Sequence, residues 1–286
     1  MGYLYIVLAA VLWGLLGPAS RVTFREGVEP LEVAFWRAAL AALLFGVHAR
    51  ARRETRVAAR DLPAVLTFGV VGVGLLYGAY FLAVEEGGAA LAAVLLYTAP
   101  LWVAILATLF LGERMGSFEV AALALAITGV AGIALSSGGS VLVTPVALFW
   151  GLLSGWAYAL YYIFGKKYFQ RYSAPTLFLY ALPTGALALL PFVSFSHKST
   201  LAWATLIFLA AVPTYGAYLL YAASLRRIDA TRASTVATVE PVVAAVVAYF
   251  VWGERLSPTG YLFSALVLAG VILIVLRSAP WVDSSS

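Results

Sequence analysis

Residues 238–257 read TVEPVVAAVVAYFVWGERLS, and residues 97–116 read YTAPLWVAILATLFLGERMG. The two stretches align at a constant offset of 141, which pairs Pro100 with Pro241 and Gly112-Glu113-Arg114 with Gly253-Glu254-Arg255. The register holds on either side: Gly129 meets Gly270 downstream, and Tyr77 and Tyr80 meet Tyr218 and Tyr221 upstream. Trp13 pairs with Trp156 at a looser offset of 143. Self-similarity at a fixed period means that one structural unit is used twice. The expected division is residues 1–140 and 141–286.

Each unit is built from apolar runs. Of the 286 residues, 63% are hydrophobic and 11% charged, too apolar a balance for a water-facing surface. A run of about 20 apolar residues crosses a hydrocarbon core roughly 30 Å thick. Ten such runs are expected, at 3–21, 30–49, 62–83, 88–111, 117–136, 145–166, 174–192, 201–221, 230–251 and 257–276. They lack the alternation of barrel strands, so the chain is expected to be an all-α integral membrane protein. Pro63, Pro145 and Pro258 stand in first turns, where a missing N–H costs nothing. Residues 3–20 read as a retained first span, not a signal peptide, because no Lys or Arg precedes them. With no cysteine and two histidines near span ends, neither a metal site nor a cofactor is expected.

Basic residues orient the bundle. If the N-terminus is cytoplasmic, thirteen Lys and Arg fall on the inner side, among them the run ARARRETRVAAR, residues 49–60. Only Arg21, Arg25, Lys198 and Arg255 fall outside, and Arg37 lies within the second span. The positive charge is thus an anchor at anionic lipid and not a nucleic-acid patch. Five spans per unit is an odd number, so the two units must lie inverted, with both termini cytoplasmic. Inverted halves supply alternating access in secondary transporters.

A Pro within the fourth span, Gly-Glu-Arg at its end and a Gly-rich fifth span, all repeated once, resemble the EamA branch of the drug/metabolite transporter superfamily. The resemblance covers the whole chain. It implies two five-helix repeats, a central cavity lined mainly by spans 1–4 and 6–9, and spans 5 and 10 packed outside. It also implies transport of a small metabolite, often amino-acid export.

Glu240 marks the candidate site. A charge at mid-membrane costs roughly 2.5–3.5 kcal/mol on insertion scales, so it should face a cavity or a partner. Pro241 and Pro100 each free a backbone carbonyl, and breaks at matching positions point to a midplane site. Ala233, Val236, Ala237, Val243 and Ala244 share the face of Glu240 and are compact, leaving room for a ligand. Its repeat equivalent is Ala99, with Trp102 three residues on, so one half offers charge and the other an aromatic surface. Alternatively, Glu240 is structural, held by Arg37 or by Ser234 and Thr238. A buried carboxyl could also exchange a proton for substrate. Arg37 enters about 9 Å into its span at 1.5 Å per residue, and could bind a substrate carboxylate, pair with Glu240 or snorkel outward. Further candidates are Trp13, Tyr77, Tyr80, Tyr97, Trp156, Tyr158, Tyr161, Tyr218 and Tyr221; any single ring could equally be packing or interfacial belt.

Rival classes leave little trace. No phosphate-binding loop or nucleophile elbow occurs, and GLLSGW, residues 151–156, only approximates the latter. No charge ring or carbonyl filter marks a channel. The expected partners are a small-molecule substrate, protons and membrane lipid. The alternative within transport is uptake of choline or another organic cation in an aromatic cage with Glu240, with no need for Arg37.

Overall fold

A computed structural model describes residues 1–136 and 142–277. The described residues contain ten helices long and apolar enough to cross a membrane. They are α1 (Gly2–Arg25), α2 (Pro30–Ala51), α3 (Leu62–Gly87), α4 (Ala89–Leu111), α5 (Ser117–Ser136), α6 (Pro145–Tyr168), α7 (Ala174–Phe192), α8 (Thr200–Leu225), α9 (Ala230–Trp252) and α10 (Pro258–Leu276). The boundary expected at 140/141 lies outside the described residues. Successive helices alternate in direction, so α1 begins and α10 ends at one face, called here the terminal face; the other is the distal face.

The two copies are inverted. Glu113, at the end of α4, accepts hydrogen bonds from the backbone N–H groups of Ala230 (2.8 Å) and Thr231 (3.1 Å), at the start of α9. Equivalent helices therefore run in opposite directions. Packing between the copies is mirrored as a two-fold requires: α1 lies on α8 as α6 lies on α3, and α1 lies on α9 as α6 lies on α4. The self-paired contacts are α2 on α7, α4 on α9 and α5 on α10. The last pair approaches closely because a β-carbon at Gly129 would stand 2.7 Å from the Phe263 carbonyl oxygen, and one at Gly270 equally near that of Ala122.

The irregularities recur too. Turns at residues 97–98 and 238–239 divide α4 and α9 at an offset of 141. Pro100 and Pro241 cause them: each lacks an N–H, and its ring excludes the carbonyl four residues back. π-Helical segments occupy Val70–Leu75 of α3 and Ala211–Gly216 of α8, again 141 apart. Gly112 and Gly253 end α4 and α9 with left-handed φ of 70° and 69°, which glycine adopts without strain. α1 is interrupted at Leu15, three residues before Pro18, whereas α6 is continuous.

Candidate functional site

The proline breaks of α4 and α9 and the π-segment of α8 border a cavity of about 410 Å³. It runs from Phe24 and Pro30, near the distal ends of α1 and α2, inward to Tyr161, Tyr162, Tyr221 and Glu240. Helices α1, α2, α3, α4, α6, α8 and α9 contribute to its walls. Of the residues expected from the sequence, it brings together Glu240, Arg37, Trp13, Tyr77, Tyr80, Tyr97, Tyr158, Tyr161, Tyr218 and Tyr221.

Glu240 begins the second segment of α9, so the break turns its side chain into the cavity. The structural partners proposed for it are engaged elsewhere. Ser234 donates to the Thr231 carbonyl (2.9 Å) and Thr238 to the Thr235 carbonyl (2.6 Å), both bonds within the helix. Among the described residues, Glu240 and Arg37 form no ion pair with each other. Arg37 lies instead with its guanidinium 4.5 Å from the centre of the Tyr77 ring, a cation–π contact. The compact face beside Glu240 is not open along its length. Ala233 and Val236 are fully buried, and a β-carbon at Gly14 of α1 would meet Val243 at 2.7 Å. The ligand space lies in front of Glu240, not along its helix.

The inner end is an aromatic floor. The hydroxyls of Tyr161 and Tyr218 are 3.2 Å apart, and Tyr221 donates to the Tyr161 carbonyl at 2.6 Å. Trp13 stands on two tyrosines of α8, 6.3 Å from the Tyr218 ring and 5.6 Å from that of Tyr221. Tyr162, which the sequence reading passed over, stands edge-on to Tyr221 at 5.4 Å. Its i, i+4 spacing from Tyr158 along α6 was the available signal. Below this floor the copies are tied together at the terminal face. Tyr172 donates to Asp61 (2.7 Å), Tyr180 to the Thr55 carbonyl (2.7 Å), and Arg232 to Glu119 (3.0 Å).

The family model named EamA-like transporter family matches residues 1–135 and 145–276. The chain belongs to that family. It is a multi-pass membrane transporter of the drug/metabolite transporter superfamily. An uncharacterized transporter of Archaeoglobus fulgidus is 32% identical over 94% of each chain. A protein of Streptantibioticus cattleyicolor named a probable terminal-alkyne amino-acid exporter is 30% identical, over 96% of this chain and 93% of its own. A solved crystal structure superposes with a TM-score of 0.85 over 96% of both chains at 18% identity, which speaks to the fold alone.

One feature of this EamA-like transporter departs from what the resemblance implied, and two residues expected at the site from the sequence lie elsewhere. None of the cavity-lining residues comes from α7, although the spans 1–4 and 6–9 were expected to share the lining. In its place Phe178 of α7 packs under the floor, 4.7 Å from the Tyr218 ring. α2 thus opens onto the cavity while its twin α7 is closed over. Trp102 and Trp156 also stand outside the cavity, half-buried against the hydrophobic core. Pro100 and its neighbours pack on α6, where a β-carbon at Gly155 would lie 2.6 Å from the Leu95 carbonyl oxygen and 2.7 Å from the Thr98 hydroxyl. The aromatic surface expected from that half is supplied by Tyr77, Tyr80 and Tyr97.

Proposed function

We propose that the protein is a secondary carrier that exports an amino acid or a similar zwitterionic metabolite by alternating access. The observation that carries this reading is an acid and a base, Glu240 and Arg37, on different helices of one aromatic cavity and not paired with each other. Glu240 takes the ammonium, Arg37 takes the carboxylate through its planar fork, and the tyrosines and Trp13 take the apolar body. The relative named as an amino-acid exporter supports the substrate class. Thirteen basic residues on the terminal face against four on the distal face support cytoplasmic termini in a cell membrane. Among the relatives is an uncharacterized inner membrane transporter of Salmonella typhimurium, YicL, 25% identical over 97% of this chain and 96% of its own. Protonation of Glu240 on substrate release couples export to proton entry.

Counterflow of labelled amino acids in proteoliposomes tests the proposal. Glu240→Gln and Arg37→Ala should each cut flux by about tenfold or more, the value of one lost charge-assisted hydrogen bond. Glu240→Gln should also abolish stimulation by a pH gradient. Normal flux and normal pH response in both variants would sink the site assignment. The alternative, a choline-type cation, predicts that Arg37→Ala is harmless and that choline competes; the place of Arg37 in the cavity wall speaks against it.

A further inference from the structure

The repeated Gly-Glu-Arg triplets end α4 and α9 at opposite faces, and their glutamates are doing different things. At the terminal face Glu113 of α4 binds the start of α9. It accepts from the N–H of Ala230 and Thr231 and from the Thr231 hydroxyl at 2.9 Å, so it caps a helix of the other copy. At the distal face Glu254, its counterpart, pairs with Arg21 of α1. By the offset of 141, the counterparts of Ala230 and Thr231 are Ala89 and Ala90, the first two residues of α4. No side chain among the described residues caps that end, and Ala89 is exposed. The cavity is closed at the face where the cap is made and reaches the face where it is not.

We infer that the two glutamates are alternating latches of the transport cycle. In the opposite conformation Glu254 leaves Arg21 and caps the start of α4, while Glu113 releases α9. The first N–H groups of a helix have no partner within it, so a carboxylate there gains both hydrogen bonds and a favourable helix dipole. Each latch is thus a strong bond that can form only when its face is shut. The latches are also unequal: Thr231 adds a hydroxyl bond to the first, whereas Ala90 has none to give to the second. That extra bond favours the described conformation, closed at the terminal face. The inference rests on the carrier reading given above, but its test does not use flux.

The chain has no cysteine, so paired spin labels can be introduced without background. Arg114→Cys with Arg227→Cys reports the terminal face; the repeat-equivalent pair, Glu86→Cys with Arg255→Cys, reports the distal face. All four positions are exposed. In lipid nanodiscs the unlatched Glu113→Ala variant should shift the population by about tenfold toward a longer terminal and a shorter distal distance. Glu254→Ala should shift it the other way. Ala90→Thr, which adds the missing hydroxyl, should favour the closed distal face, a gain that misfolding cannot imitate. If two conformations are seen and none of the variants moves their ratio, the latches are refuted and the carrier stands. If each pair gives one distance in wild type and every variant, both readings fall.

Discussion

Lys198 and Glu32 form a buried ion pair at the distal face, with side chains 5% and 0% exposed. Ser196 completes the carboxylate with its hydroxyl (2.8 Å) and N–H, and Trp36 donates at 3.3 Å. The rings of Trp36, Phe195 and Trp203 surround the ammonium at 5.4, 5.8 and 5.7 Å. Removing one partner strands the other charge, at a cost of about 3–5 kcal/mol. Lys198→Met should therefore lower thermal stability in detergent sharply, and adding Glu32→Leu should recover most of the loss. Equal destabilisation by the single and double variants would contradict this. The pair was invisible in the sequence, where Lys198 was merely one of four outer cations; its partner is 166 residues away. Glu240 and Arg37 were legible because each interrupts an apolar run, which hydrocarbon does not tolerate without a reason. Trp102 misled because helical spacing gives a direction along one helix, not which neighbour closes over it.

Gly74 and Gly78, like Gly151 and Gly155, stand four residues apart, but their helix contacts differ. Gly74 faces Ala188 of α7, where a β-carbon would stand at 2.8 Å, yet nothing lies within 4 Å of one at Gly78. Gly155 is tighter still, against the backbone of α4. Gly155→Ala should destabilise the fold by about 1–3 kcal/mol through overpacking, while Gly78→Ala should be neutral or gain roughly 0.5–1 kcal/mol from helix propensity. Thermal unfolding of the two variants checks the contrast, and the same midpoint for both would refute it. The spans and their proline breaks followed directly from hydrophobic run length and from the missing N–H of proline. The π-segments did not. Pro213 lies within the second, but the first contains only Gly72 and Gly74 as possible signals, and glycine in a membrane helix marks close packing as readily as a bulge.

The inverted bundle could be deduced from one offset and an odd number of spans, since parity alone forces opposite directions. Which conformation the molecule rests in could not, because nearly symmetric copies encode both. The orientation proposed for the bundle is open to direct labelling. An impermeant maleimide should modify Glu29→Cys on intact cells and Arg52→Cys only after permeabilisation; the reverse pattern would turn the protein over. One feature of the cavity then shapes the kinetics. The carboxylate of Glu240 is answered in the twin repeat by the methyl of Ala99, and α7, the twin of the helix that carries Arg37, lines none of the cavity. Inverting the bundle therefore does not regenerate the same receptor for cargo arriving from the other compartment. Half-saturating concentrations should differ between the two compartments, and zero-trans flux should be quicker in one sense, making the molecule a kinetic rectifier that still obeys the gradients.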